Sequence, residues 1–574
     1  MTVVPIDPVA LEIVRHGFIA AADEMKLSLM RTAHNPIIYE VLDFSVGVFD
    51  RQGRMVAQAD GLPIFLGSLG FAVRAVVADI GEQTLEAGDL YLFNDPYEQG
   101  NHVNDVTTVE PVFHAGELCG FVSTRAHWLD IGGKDPGGSL DCTDVVQEGL
   151  WLRSIPLYRR GVLDEAVWRI IEYNVRYTEK MLGDLRAQVA ASRTGAARFG
   201  EILCRHGVAT VEAAVSAMLA QGEQRARAAV ASLPDGSYSA ETWIDTDCVG
   251  SGPLPVRVSV TIRRSDVIID LTETGEQAHG PVNCGLPAAV ASCRIALKAF
   301  TSPDAPATEG DFAPLIVIAP LGSRFNATYP APTFLYAKGL TDAVVRALTL
   351  ACPGRGVAGP YDDLAGFMLV GAEPATGSLY IQQEPEIGGW GASADQDGES
   401  ALIFTGDGDT RNIPAEVIEA RFPLRLERHA LRPDSGGAGR RRGGLGIIRD
   451  YRILDHSPTM LAIMDRTHCR PWGMFGGRDA EPDVVVVQDG AASKSYAQAM
   501  GEQIASGALV SVRTGGGGGW GDAREREPEL VWRDVVSGYV SEEAARESYG
   551  VVLDPVTREV DPVLTTQLRG ETRR

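Results

Sequence analysis

Residues 94–133, NDPYEQGNHVNDVTTVEPVFHAGELCGFVSTRAHWLDIGG, constrain this chain more than any other stretch. They hold two His-x-x-Asp pairs, His102 with Asp105 and His127 with Asp130. Apolar, β-branched segments lie between the pairs, Val106 to Val112 and Gly120 to Thr124, and read as buried strands. Glycine and asparagine crowd both ends. Polar side chains of ligand type at the rims of buried strands are the usual sequence form of a metal site. His102 and Asp105 are close enough to share one ion from a turn, and His127 can complete the set from the next strand. Asp130 can ligate, or can hydrogen-bond a ligand histidine from behind. Imidazole nitrogen and carboxylate oxygen together suit zinc, manganese or iron(II). With no thiolate among them, zinc or manganese in an open catalytic site fits better than a closed structural zinc site. A bare His-x-x-Asp is common by chance, so the spacing by itself leaves the metal open.

A chain of 574 residues is too large for one core and predicts two to four domains. The fold class expected is mixed α+β, multidomain and strand-rich, with a helical segment around 164–230 and glycine-rich loops. Asp7 and Pro8 cap and open a helix over 7–33. A strand pair follows at 43–50 and 55–58; Asp43 opens it, where a carboxylate can face a neighbouring site or form the turn. A helix is expected at 68–87 and a short buried strand at 90–93. From about 235 the pattern turns strand-like, with helical patches at 285–300 and 337–352. Residues 431–446 are a glycine- and arginine-rich turn, 447–522 are again strand-like, and the charged tail 525–574 holds a short helix at 541–548. These shifts divide the chain into 1–160 (metal-site α/β region), 161–234 (helical), 235–430 (central α/β) and 431–574 (glycine-rich, strand-rich).

The formal net charge of −24 argues against nucleic acid or an anionic membrane as a partner. No apolar run approaches the roughly 18 residues of a membrane span, and the N-terminus lacks the pattern of a signal peptide. Eight cysteines are scattered singly with no CxxC, as in a reduced, cytoplasmic chain. Gly515 to Gly519 is followed by Trp-Gly-Asp, not by the Lys-Ser/Thr of a phosphate loop, so it reads as a structural loop. The stretch 439–446 lacks the spacing of a dinucleotide fingerprint. No nucleophile elbow occurs, and Cys469 beside His468 does not make a nucleophilic pair. If the reaction needs ATP, a partner chain must bind it.

Six segments together resemble the hydantoinase B family: DFSVGVFD (43–50), NDPYEQGNHVNDV (94–106), RAHWLDIGG (125–133), NIPAEVIE (412–419), LRPDSGGAGRRRGGLG (431–446) and TGGGGGWGD (514–522). That family includes the B-type components of ATP-dependent hydantoinases and lactamases, the C-terminal half of 5-oxoprolinase, and components of acetone and acetophenone carboxylases. The resemblance implies a divalent metal, zinc or manganese, on His102, Asp105 and His127, with Asp43 as fourth ligand and Asp130 behind the ligands as an orienting or proton-accepting catalytic group. It further implies a hydantoinase A type partner with an ATP-binding site, in a hetero-oligomer. The expected activity is hydrolysis of a cyclic amide (a hydantoin, lactam or 5-oxoproline-like ring) whose carbonyl oxygen the partner phosphorylates. A component of a ketone carboxylase is the second enzymatic expectation, and a non-catalytic scaffold for the A-type partner the third. Thr514 departs from the proline that the family more often carries before the glycine run.

Overall fold

The computed structural model describes residues 6–361 and 365–571, so the first five residues of the stretch read for a signal sequence lie outside it. Its N-terminal part is a seven-stranded sheet. The strands are β1 (Phe44–Asp50), β2 (Met55–Gln58), β3 (Leu90–Phe93), β4 (Asp105–His114), β5 (Glu117–His127), β6 (Ile155–Arg159) and β7 (Val162–Leu163). Their order across the sheet is β2-β1-β5-β4-β3-β6-β7, with every pairing antiparallel.

These strands read as continuous apolar runs because both faces of the sheet are covered. Side chains alternate across a strand. Val46, Val48 and Val122 join a core with Leu11, Val14 and Phe18 of helix Pro8–Thr32 and with Leu185 and Phe199 of helix Thr178–His206. Phe49, Val109 and Phe121 take the opposite face, against Leu69, Val73 and Val76 of helix Pro63–Ile80. The first helix forms as its sequence predicts: Asp7 accepts hydrogen bonds from the Val9 and Ala10 amides, and Pro8 is the first helical residue. Helix Pro63–Ile80 starts five residues before the expected 68, because Pro63 supplies the first turn, and it ends at Gly81, where φ is 86°. Arg74 and Asp79 interrupt its apolar run, in keeping with the expectation that no such run approaches 18 residues, although the helix as a whole is long and apolar enough to be weighed as a membrane span. It packs between the sheet and helix Leu286–Thr301 with 56% of its length buried.

The helical segment is three helices, Glu165–Asn174, Thr178–His206 and Val208–Val230. A second sheet holds Leu315–Ile318, Asp266–Asp270, Leu254–Arg263 and Gly236–Ile244 in that order, with helix Leu340–Ala351 against its last two strands. A third holds Leu379–Glu386, Ala365–Ala372, Thr459–Ile463 and Gln498–Gln503; a fourth runs Leu424–Leu431, Ile447–Ile453, Leu509–Arg513, Val484–Asp489 and Ala492–Tyr496. The expected division at 430/431 therefore cuts through paired strands, since Leu424–Leu431 pairs with Ile447–Ile453 and residues 365–386 are built into one sheet with 459–503. The charged tail carries three helices, Pro528–Val536, Glu542–Tyr549 and Pro562–Glu571, where sequence suggested one.

Gly515 to Gly519 lies outside helix and strand, as the structural-loop reading expected, and forms the centre of a backbone-to-backbone knot. Gly516 donates to the Glu481 carbonyl (3.1 Å), Gly517 to Gly444 (2.9 Å), Gly518 to Gly359 (2.8 Å) and Gly519 to Arg478 (3.0 Å). The Gly515 amide donates to the Asp483 carboxylate at 2.6 Å. Each amide meets a protein acceptor, on the segments around 359, 444 and 478–483, so none is left for a phosphate. The 439–446 stretch joins the same knot through Gly443 and Gly444, and Arg442 faces Asp534 at 3.5 Å.

A buried ion cluster ties the third sheet to the fourth. Arg449 lies 2.8 Å from Glu384 and 3.3 Å from Glu386, all three without solvent exposure. Tyr451 donates to both carboxylates, and Asn412 and the Ile413 amide donate to Glu384. Arg449→Met would strand two buried carboxylates, and a loss of about 3–5 kcal/mol in stability is expected by urea unfolding. A loss below about 1 kcal/mol would mean that the cluster is not the tie described.

Candidate metal centre

β1, β5 and β4 are consecutive in the first sheet, and their antiparallel pairing brings the start of β1, the end of β5 and the start of β4 to one edge. In register, Asp105 lies directly opposite His127. The next step across is Asp43, whose carbonyl accepts a hydrogen bond from the His127 amide at 3.1 Å. Residues opposite one another across antiparallel strands project to the same face. A sequence distance of 84 residues between Asp43 and His127 thus becomes adjacency through strand pairing. His102 reaches the group by a turn, closed by the Asp105 amide donating to the His102 carbonyl at 3.1 Å. Asn104 fastens this turn to the end of β5: its side chain donates to the Trp128 carbonyl (2.8 Å), and its carbonyl accepts from the Trp128 amide (2.9 Å).

The donor atoms converge. His127 Nδ1 lies 3.2 Å from Asp105 Oδ1, and His102 Nδ1 lies 3.7 Å from the same oxygen. One ligand atom from each of His102, Asp105 and His127 falls within 4.8 Å of the others. A tetrahedral ion held about 2.0–2.1 Å from each donor spaces its donors about 3.3 Å apart. The two imidazoles cross edge to face, with centroids 4.9 Å apart. His102 Nδ1, Asp105 Oδ2 and Asp43 Oδ1 are buried without a hydrogen-bond partner. Such atoms are expensive to leave unpaired, and a divalent cation is the partner that suits all three together. The residues whose donors converge fit a three-donor His₂Asp centre, and Asp43 lines the same cavity beside them.

The electrostatics agree. Burial lowers His102 to about 4, with the neighbouring His127 and Arg125 adding to the effect, so at neutral pH it is an uncharged donor. Burial raises Asp43 to about 7, and Asp105 adds to this while His127 opposes it. For His127 burial pushes downward, but its hydrogen bond to Asp105 and the Asp43 and Asp105 charges outweigh that and raise it. Two carboxylates and two imidazoles share a site out of water, and one cation would relieve the cost of burying them together.

Asp130 does not stand behind the ligands as its spacing suggested. Past β5 the chain turns off the sheet, and Asp130 accepts hydrogen bonds from the Arg176 amide and, at 2.8 Å, from its guanidinium. It anchors the entry to helix Thr178–His206, is absent from the cavity lining, and orients no ligand histidine.

The residue standing behind His127 is Gln383, 256 positions away in strand Leu379–Glu386, with one end of its amide 3.2 Å from His127 Nε2. An amide presents oxygen or nitrogen equally well by a half-turn. With the oxygen there, Nε2 donates its proton and Nδ1 keeps its lone pair toward Asp105 and His102. Gln383→Leu is expected to weaken divalent-metal affinity by about 10–100-fold, read by competition with a chelator; unchanged affinity would remove Gln383 from the site. His102 is fixed from the other side by Phe334 (centroid 5.0 Å, stacked) and Tyr336 (5.3 Å). Phe334 is in turn held by Glu148, which accepts from its amide and from the Thr333 hydroxyl, both at 3.0 Å. Gly138 gives Phe334 room, since a Cβ there would lie 1.9 Å from the ring. The glycine-rich stretch after β5 thus packs over the site, and Leu140 from it lines the cavity. No spacing rule in the sequence points to Gln383 or Glu148.

The cavity lining combines apolar residues (Ile37, Leu62, Phe65, Phe367, Met368) with Tyr336, Lys338, Glu384, Asp407 and the four candidate donors. Burial, with Asp105, Asp407 and Asp43 nearby, keeps the Tyr336 hydroxyl protonated far above neutral pH. Cys469 is outside this lining, and burial with Asp245 pushes its thiol up to about 12, which suits no thiolate chemistry.

Comparison with known proteins bears on this geometry. A family model described as hydantoinase B/oxoprolinase matches residues 7–523. The chain is 32% identical to the B-type component of a putative D-/L-hydantoinase of Pseudomonas sp. (strain NS671), over 98% of each chain. The crystal structure of the ATP-dependent caprolactamase from Pseudomonas jessenii superposes with a TM-score of 0.91 at 28% identity, covering 99% of this chain and 100% of that one. A nucleotide-free acetone carboxylase structure superposes with a TM-score of 0.90 at 20% identity over 99% of this chain and 83% of that one, a likeness of fold alone.

Proposed function

The chain belongs to the hydantoinase B/oxoprolinase family, and from that premise we propose that it is the metal-dependent B-type component of an ATP-dependent cyclic amide hydrolase, acting on a hydantoin, lactam or 5-oxoproline-like ring. The observation that carries the reading is the convergence of His102, Asp105 and His127 on one point in a cavity that Asp43 also lines. An unactivated amide is a poor electrophile because attack must break its resonance. Phosphorylation of the amide oxygen, in an ATP-binding A-type partner, removes that protection. Water then adds to the activated carbon, the ring C–N bond breaks with the nitrogen taking up a proton, and a second water converts the acyl phosphate into carboxylate and orthophosphate.

A zinc or manganese ion held by Asp43, His102, Asp105 and His127 would supply Lewis acidity and lower the pKa of water at this point. The protein supplies the rest. Gln383 fixes the His127 tautomer, and Phe334 and Tyr336 clamp His102. The Tyr336 hydroxyl is a neutral donor in the cavity and, on this reading, gives a hydrogen bond to the departing nitrogen. The apolar wall excludes bulk water and seats the ring. On this reading the protein works in the cytoplasm within a hetero-oligomer. The test is a substrate-stimulated ATPase and ring-opening screen of the reconstituted complex over lactams, hydantoins and ketones, with and without bicarbonate. Ring opening without bicarbonate is expected. Strict bicarbonate dependence with a ketone would replace the reading by a carboxylase, and turnover by the A-type partner alone would reduce this chain to a scaffold.

A further inference from the structure

We infer that Lys338 is the anion-recognition residue of this cavity and holds the phosphoryl group of the activated amide. The inference rests on the hydrolase reading. Lys338 is the sole lysine or arginine among the described residues lining the cavity, where Asp43, Asp105, Glu384 and Asp407 are all acidic. A phosphorylated substrate brings further negative charge into that surrounding. Beyond the charge that a metal on Asp43 and Asp105 would offset, the phosphoryl oxygens still enter a poorly hydrated, acidic cavity, and a fixed cation beside the metal would meet them.

Three features show that Lys338 is built for this and is not a surface lysine folded inward. It is 2% exposed, with Nζ 3.2 Å from Asp465. Asp465 uses its other oxygen on the amides of Asp245 (2.8 Å) and Arg466 (3.0 Å), which orients it. A buried pair of this kind contributes little net stability, because desolvating both charges offsets their attraction. The backbone is also bent to present the side chain. Ala337 has φ 57°, a left-handed conformation that is strained for a non-glycine residue, and Gly339 has φ 72°. Finally, Lys338 lies just ahead of helix Leu340–Ala351, where the positive end of the helix dipole disfavours a cation but adds to the attraction for an anion. Strain, burial and misplaced charge at one residue of the cavity wall share one explanation in an anionic ligand.

The probe is orthophosphate, the product of the proposed reaction, titrated calorimetrically into the metal-loaded, nucleotide-free complex of this chain with its partner. Lys338→Met is expected to weaken phosphate binding at this site about tenfold or more, whereas Lys338→Arg stays within about threefold. Because Lys338→Met takes the lysine away from the buried Asp465 carboxylate, the double variant Lys338→Met/Asp465→Asn removes both charges and is expected to behave like the single one. Metal content should match wild type throughout. Phosphate affinity equal to wild type in a folded methionine variant would overturn the assignment. So would selective loss of acetate binding in place of phosphate, which would make Lys338 a carboxylate reader. Failure of the hydrolase reading shows differently: turnover would then need a ketone and bicarbonate, or would proceed with the A-type partner alone, whatever phosphate does at Lys338.

Discussion

Alanine in place of His102 or His127 is expected to strip the divalent ion and lower ring-opening turnover by about 10³-fold or more, equivalent to about 4 kcal/mol of barrier. The fold should survive. Both imidazoles sit at the sheet edge, whereas the packing of β4 and β5 is carried by residues such as Val106, Val109, Phe121 and Val122. Either change leaves Asp43 and Asp105 close together with one fewer donor between them, so the site loses its metal before it loses its shape. Asp105→Asn should act similarly, because Asp105 is the carboxylate that both histidines face. Metal content by elemental mass spectrometry, turnover in the reconstituted complex and circular dichroism separate these effects. Asp130→Asn should leave metal content unchanged and instead destabilise the entry to helix Thr178–His206 by about 1–3 kcal/mol, the worth of a hydrogen bond to a charged group.

Gly517→Ala is expected to yield no folded protein. An added Cβ would lie 1.9 Å from the Trp390 carbonyl oxygen and 2.0 Å from its carbon, and these are backbone atoms that no rotamer change can move. The Gly517 amide is bonded to Gly444, and its carbonyl accepts from Gly437, so the segment cannot slide without breaking both. Gly516 and Gly518 meet the carbonyls of Ser435 and Trp472 at 2.1 and 2.0 Å in the same way. A destabilisation above about 5 kcal/mol, at the upper limit for single substitutions, follows from separating several backbone segments at once. Soluble expression and protease resistance read the result. Gly354→Ala is the control, since that glycine has no left-handed φ and a Cβ there meets nothing within 4 Å. A stable Gly517→Ala protein would show that the knot tolerates a side chain after all.

The legibility of the sequence followed the range of the interactions. Helix Pro8–Thr32 and strands β1 to β3 lay close to their expected positions, because local caps and apolar period set them. His102, Asp105 and His127 could be singled out because they sit at or just ahead of strand ends, where ligand side chains escape the hydrophobic pattern, whereas Asp43 entered as a ligand through the family resemblance. Asp130 shares that signature with His127. Its fate depended on Arg176, a partner 46 positions on that no pattern announces. Gln383 and Lys338 come from distant segments and bear on the site only once the sheets are assembled. The glycine run was legible as structural, but its role as a shared core needed the segments at 359, 391, 437, 444 and 478 to be brought around it. The 430/431 division failed for a related reason: the composition changes there, while strand pairing runs straight across it.

The most direct test of a metal centre on His102, Asp105 and His127 is anomalous diffraction from crystals of the complex grown with manganese or zinc. One peak is expected within about 2.0–2.2 Å of both imidazoles and the Asp105 carboxylate, with Asp43 as the fourth protein donor. A fully active complex whose only anomalous peak lies elsewhere, or that shows none, would contradict the account.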